Sequence, residues 1–316
     1  MLAEIGNIVL GIVCLLLGSD SLANGMSGLL VRRQPRAYAA ALIAAASAAL
    51  FPLAALALAA IWMSEHELAL GGIVGGSIAQ LGLLLGLAAL LAPLLARLKV
   101  LNWINPILLV AVVLVFALGF DQAYSLVDGL VLLSAGLMAI VLIVRAAAGE
   151  RATAAALFEQ APRVFGLPML LMRLVLGMAL LGLGAWRLID GSEGLAAILA
   201  VNPLILGLLV VGPASALAGA PTALLAARRG HGELALGQTL FGASAGLLIV
   251  LGAVVLWQPL AVSASLMRLE LPALFALALA VYPMMRSDGE LSRREGMVLL
   301  VSYAVIVALE LWLTSA

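Results

Sequence analysis

Charge is what this chain has least of: 10% of its 316 residues are Asp, Glu, Lys or Arg, where a soluble domain carries about 25%. With 65% hydrophobic residues and a mean hydropathy of +1.24, it presents more apolar surface than a water-soluble core can hide. The deficit excludes a soluble fold and requires a polytopic membrane protein, whose first partner is the lipid bilayer. The 16 basic and 16 acidic residues cancel, which leaves no electrostatic case for nucleic acid. Cysteine occurs once, at Cys14, so neither an internal disulfide nor a thiolate metal cluster can form. The two histidines, His66 and His231, fall in loops on opposite sides of the membrane and cannot share a metal. The chain contains no H-E-x-x-H, G-x-S-x-G or P-loop pattern, so an enzyme is not expected, and no cofactor is implied. The opening Met-Leu-Ala-Glu lacks a basic n-region and a cleavage site, and the first apolar segment is expected to be retained.

Long apolar runs are abundant. A helix needs about 20 apolar residues to cross the hydrocarbon, and ten runs qualify, at roughly 3–30, 37–63, 68–95, 102–120, 124–146, 165–196, 203–227, 233–258, 269–285 and 295–313. The first and sixth are long enough to tilt strongly. The stretch Glu67–Leu94 recurs 166 residues later as Glu233–Leu260. Glu67-Leu68-Ala69-Leu70-Gly71 returns letter for letter as Glu233-Leu234-Ala235-Leu236-Gly237, and Leu85-Gly86 and Pro93-Leu94 return as Leu251-Gly252 and Pro259-Leu260. Val9-Leu10-Gly11 matches Val175-Leu176-Gly177, Pro106 matches Pro272, and after one inserted residue Gly129 matches Gly296. A constant register of Gly, Pro and Glu marks a duplication. The expected units are 1–146 and 165–316, joined by a polar linker at 147–164 that holds Glu150, Arg151, Glu159 and Arg163.

Thirteen of the 16 basic residues follow an odd-numbered run, among them Arg32, Arg33 and Arg36, Arg97 and Lys99, Arg228 and Arg229, and Arg286, Arg293 and Arg294. The positive-inside rule puts those loops in the cytoplasm and both termini outside, in a plasma (bacterial inner) membrane. Five helices per copy is an odd number, so the second copy enters from the opposite face. The expected fold is an all-α polytopic membrane protein of ten transmembrane helices in two inverted-topology five-helix repeats, an arrangement typical of secondary transporters with a site at the midplane.

Several motifs carry a resemblance. Leu17-Gly18-Ser19-Asp20-Ser21-Leu22-Ala23-Asn24-Gly25-Met26 stands in the first helix, and its counterpart begins at Leu183-Gly184. The third helix opens Leu68-Ala69-Leu70-Gly71-Gly72-Ile73-Val74-Gly75-Gly76-Ser77-Ile78-Ala79-Gln80. Glu270-Leu271-Pro272 precedes helix nine, and helix ten opens Arg293-Arg294-Glu295-Gly296, with Tyr303 after it. In order and spacing this resembles the calcium:cation antiporter superfamily, the sodium/calcium exchanger fold, over nearly the whole chain. The resemblance implies cation antiport by alternating access, with helices two, three, seven and eight around the site. The family's ion site draws on T-S-x-P-E in the second helix of each half, the Ser of G-S-N, and the residue four further on. Carried over, these are Ala49, Leu53, Gly76 and Gln80, then Ser215, Gly219, Gly242 and Gly246. Pro52 remains, but both glutamates are gone. Calcium wants six to eight oxygen ligands, normally including carboxylates, so classical calcium exchange is not expected.

The polar content of the four core helices is Ser47, Ser77, Gln80, Ser215, Thr222, Gln238, Thr239 and Ser244. These are candidate ion-pathway residues, or else ordinary back-bonds to helix carbonyls. Gly72 and Gly76, within overlapping G-x-x-x-G pairs, allow close backbone approach at a site or simple tight packing. Pro52, Pro213 and Pro221 lie inside helices two and seven and either expose carbonyls to an ion path or only kink the helix. Asp20 sits mid-helix, as a proton carrier or as a structural partner of Arg173 or Arg187. Glu310, near the end of helix ten, is expected to reach the interface. The leading reading is a secondary transporter for a monovalent cation, or for a proton and a small solute. The second is a pseudo-transporter serving as a membrane scaffold or regulatory subunit.

Overall fold

The computed structural model describes residues 1–33, 38–95, 101–148, 166–287 and 289–315. Nearly all of the 147–164 linker lies outside the described residues, as do Arg36, Arg97 and Lys99.

Among the described residues, nine helices are long and apolar enough to cross a membrane, and a bent pair makes a tenth span. In chain order they are α1 (Leu2–Arg33), α2 (Tyr38–Trp62), α3 (His66–Leu91), α4 (Leu101–Leu118), α5 (Leu126–Ala148), α6 (Leu167–Leu199), the bent α7 (Pro203–Ala218 and Ala220–Arg228), α8 (Gly232–Trp257), α9 (Leu266–Arg286) and α10 (Arg293–Ser315). The protein is an all-α polytopic membrane protein built from two inverted repeats. At 32 and 33 residues, α1 and α6 run to about 48 Å at 1.5 Å per residue, so they exceed a hydrocarbon core of about 30 Å.

The break in α7 is a 50° bend that a pattern of apolar residues does not register. Its cause is local. Pro221 brings no backbone N–H to the turn, and Gly219 closes it by donating to the Ala216 carbonyl at 3.1 Å. Pro52, by contrast, lies inside the unbroken α2.

The duplication is visible in the geometry. Turns widened to π-helix occupy Gln80–Leu84 in α3 and Gly246–Val250 in α8, at matching positions of the repeat. Further π turns occur at Gly207–Val211 in α7 and Leu266–Glu270 in α9. Four two-residue strands, not expected from the sequence, tie the span ends together: β1 (Leu94–Leu95) with β4 (Glu290–Leu291), and β2 (Ala123–Tyr124) with β3 (Leu260–Ala261). Leu94 faces Leu291 in one pair, and their repeat equivalents Leu260 and Tyr124 face each other in the other. Each pairing joins one half to the other. Together they place the loops after α3 and α9 at one end, and those after α4 and α8 at the opposite end, as alternating spans require.

The centre belongs to α3 and α8, whose apolar windows are 83% and 78% buried, against 28% for α1 and 22% for α6. Lipid is as apolar as leucine, so helices associate here through van der Waals contact, which favours small residues. A Cβ on Gly75 would stand 2.7 Å from the Leu208 α-carbon and 2.8 Å from its carbonyl oxygen. Gly11 and Gly184 approach across α1 and α6 in the same way, and so do their equivalents Gly177 and Gly18. Neither backbone can move aside. Gly75→Ala is therefore expected to destabilise the folded protein by about 1–3 kcal/mol through overpacking. Gly182→Ala, where a Cβ meets nothing within 4 Å, is expected to leave thermal unfolding in detergent unchanged.

Candidate functional site

At the centre, α2, α3, α7 and α8 bring together Leu53, Ser77, Gln80 and Ser215 around three glycines. A Cβ on Gly76 would lie 2.8 Å from the Ser215 hydroxyl and 3.1 Å from a Leu53 methyl. One on Gly246 would lie 2.7 Å from the other Leu53 methyl and 3.6 Å from the Ser77 hydroxyl. Leu53 is thus wedged between α3 and α8 at the position where the resemblance sets a glutamate. The side-chain oxygen of Gln80 presses on Gly242, whose other neighbour is Ala49.

The hydroxyls differ from the amides. Ser215 donates to the Gly212 carbonyl at 2.6 Å. Ser47 donates to Ala44, Ser244 to Phe241, and Thr239 to Ala235 and Leu236. These are back-bonds that satisfy the hydroxyl within its own helix. Ser77 reaches further: it donates to Ile73 at 3.0 Å and also faces the Ala243 carbonyl of the other repeat at 3.4 Å. Gln80 is 0% exposed, and neither its amide nitrogen nor its oxygen has a hydrogen-bond partner among the described residues. It opens the π turn of α3, and such turns concentrate at functional sites.

Gly219, the second position at which the resemblance sets a glutamate, is filled differently. At Gly219 the space is taken by the Gln238 amide, which donates to the Gly219 carbonyl at 2.8 Å and to the Thr222 hydroxyl at 2.9 Å. Thr222 itself donates to the same carbonyl at 2.8 Å. Gln238 and Thr222 therefore satisfy the carbonyl at the α7 bend rather than face the central cluster.

Of the remaining sequence candidates, Gly72 packs on Val211. Pro213 and Pro221 begin the two segments that follow the π turn and the bend. Asp20 is exposed and accepts a hydrogen bond from Asn24 one turn on, away from the cluster. Arg187 donates to Asn7, which in turn donates to Asp190.

Glu310 departs from expectation. It does not reach an aqueous interface but is 6% exposed, inside the bundle beside Glu270, which is 1% exposed. The sequence signal was there: Tyr303, Val307 and Glu310 fall on one stripe of α10 at spacings of four and three. Asn105 in α4 is likewise buried, at 1% exposure, and its amide has no hydrogen-bond partner among the described residues.

Comparison with known proteins settles the family. The sodium/calcium exchanger protein family matches residues 4–145 and 169–312. This chain belongs to the sodium/calcium exchanger family. Among relatives in the family, the inner membrane protein YrbG of Escherichia coli (strain K12) is 29% identical over 213 residues, 66% of each chain and so just under two thirds of that relative's length. The putative antiporter CaxA of Alkalimonas amylolytica is 24% identical over 94% of this chain and 95% of that one. The sodium/calcium exchanger MaX1 of Methanosarcina acetivorans is 23% identical over 95% and 96%. The fold matches the sodium-calcium exchanger NCX_Mj in crystals soaked with 100 mM Na+ and 10 mM Sr2+, with a TM-score of 0.71, 22% identity, and coverage of 97% of this chain and 98% of that one.

The two glutamines separate by substitution. Gln238→Leu removes two hydrogen bonds, to the Gly219 carbonyl and the Thr222 hydroxyl, while that carbonyl keeps the Thr222 hydroxyl and the Ala223 N–H as donors, and it is expected to lower stability by about 1 kcal/mol. Gln80→Leu removes an amide with no hydrogen-bond partner among the described residues, and is expected to leave unfolding in detergent unchanged or shifted to higher temperature.

Proposed function

We propose that this chain is a secondary transporter that works by alternating access between its two repeats and carries a cargo other than calcium. The observation that carries this reading is the central site itself. Leu53 and Gly219 stand where carboxylates are expected, and the Gln80 amide is buried without a hydrogen-bond partner among the described residues. Backbone carbonyls, Ser77 and one amide suit a monovalent cation, or a small solute moved with a proton. They do not neutralise a divalent ion in a low-dielectric site, which needs six to eight oxygens and carboxylate charge.

The remaining assignments follow from the same reading. The units are 1–146 and 165–316, joined by the linker 147–164. The basic loops face the cytoplasm of a bacterial inner membrane, with both termini outside, as the distribution of Arg and Lys supports. A scaffold or regulatory subunit without transport is the second reading, and it draws on Leu53, which fills the centre with hydrocarbon between Gly76 and Gly246.

Flux measurements in liposomes distinguish the two. Sodium or proton movement is expected across an imposed gradient, with calcium movement at background. Gln80→Ala is expected to cut the rate by about tenfold, the equivalent of one lost ligand hydrogen bond of about 1.4 kcal/mol. A folded protein that moves none of the cations tested would favour the scaffold and end the transport reading.

A further inference from the structure

The duplicated unit builds one cavity twice. In the first copy it lies among Leu42, Ile43, Ile140, Ile143 and Phe241, a wholly apolar set. In the second copy the equivalent residues, 166 or 167 places away, are Leu208, Leu209, Val307, Glu310 and Gly75. Glu270 and Tyr303 complete that wall, and the repeat equivalent of Glu270 is the buried Ile104. The fold therefore builds this place from hydrocarbon in one half and sets two carboxyls in it in the other. Packing does not require them.

The chemistry of the pair is specific. Glu270 closes the π turn of α9, is 1% exposed, and neither of its oxygens accepts a hydrogen bond from an N–H or O–H group among the described residues. Its carboxyl and that of Glu310 line the same small cavity. Two ionised carboxylates so placed are both acceptors and repel each other in a low dielectric; one proton between them removes a charge and supplies the missing donor. The cavity, about 10 Å³, admits about one water molecule and has no room for the shell of six to eight oxygens that a divalent cation needs. Among other ionisable groups on the packed helices, Tyr303 lines the cavity from α10, and Arg268 lies two residues before Glu270 with its side chain exposed. From α3 and α7 only Gly75, Ile78, Leu208 and Leu209 line it.

We propose that Glu270 and Glu310 form a proton-binding site that holds one exchangeable proton between the two carboxyls and reports its state to α7. The route is short. Gly75 and Leu208, which line the cavity, are also the residues at which the α3 and α7 backbones touch. When the proton leaves, two like charges stand against that contact and loosen it. This site is independent of what the centre carries.

Infrared difference spectroscopy of the purified full chain tests the proposal. The wild type is expected to show the C=O stretch of a neutral carboxylic acid at neutral pH, bleaching as pH rises. The band is lost in the double variant Glu270→Gln/Glu310→Gln and kept in Asp20→Asn. Should the double variant fail to fold, either single glutamine, which can donate to the remaining carboxyl, gives the same reading. A band that is absent from the wild type, that survives these glutamine substitutions, or that vanishes in Asp20→Asn overturns the site. A band that sodium removes at fixed pH makes it a cation site and overturns the proton. At a pH where the band has bleached, amide exchange across 203–211 is expected to be faster in the wild type than in Glu270→Gln, which imitates the protonated acid. Equal rates overturn the link to α7.

Discussion

Backbone-to-backbone contact between the two repeats, made possible by glycine, is the constraint on which the rest of this structure depends. Water drives apolar faces together in a soluble protein; lipid does not, so cohesion comes from how closely the helices approach. Gly71, Gly75 and Gly212 bring α3 and α7 to a separation at which a single Cβ would overlap main-chain atoms. Gly11 with Gly184, and Gly18 with Gly177, do the same for α1 and α6. The two α1–α6 contacts are repeat equivalents of each other, whereas the α3–α7 contact has no glycine counterpart, since Gly75 corresponds to Phe241 and Gly212 to Ala46. The short β1–β4 and β2–β3 ladders then tie the two halves at both ends.

A symmetric frame of this kind leaves equivalent positions free to diverge chemically. Two positions at the centre are filled in different ways: Leu53 fills its place with hydrocarbon, whereas Gly219 leaves a gap that the Gln238 amide enters. The repeated cavity shows the opposite, with carboxyls in the second half where the first has isoleucines. The central cluster holds no carboxylate among the described residues, and a flanking cavity between α3, α7, α9 and α10 holds two. Ionisable groups inside a membrane are costly and persist where they do something.

The bend in α7 belongs to the same picture. A helix broken at Gly219 and widened at Gly207–Val211 holds its backbone less uniformly than α2, its counterpart, which stays continuous through Pro52. The π turn at Gly207–Val211 contains Leu208, where α7 meets Gly75. The geometry of α7 is thus set jointly by its own Gly and Pro residues and by what lies behind it.

Much of the architecture was legible in the residues alone. Ten apolar runs and a constant register of Gly, Pro and Glu can be read without coordinates, because span length and repeat are properties of order along the chain. The linker and the sidedness of the loops remain inferences of that kind. Tertiary structure decided which polar groups are satisfied. Ser47, Ser215 and Ser244 bond within their own helices, Gln238 turns to a carbonyl, and Gln80 finds no donor or acceptor among the described residues. It also turned Glu310 inward to Glu270, against a reading that sent it to the interface. The reason is physical: the amino-acid order fixes what a side chain can donate or accept, but its partners come from helices far away in the sequence, and only their packing brings them within reach.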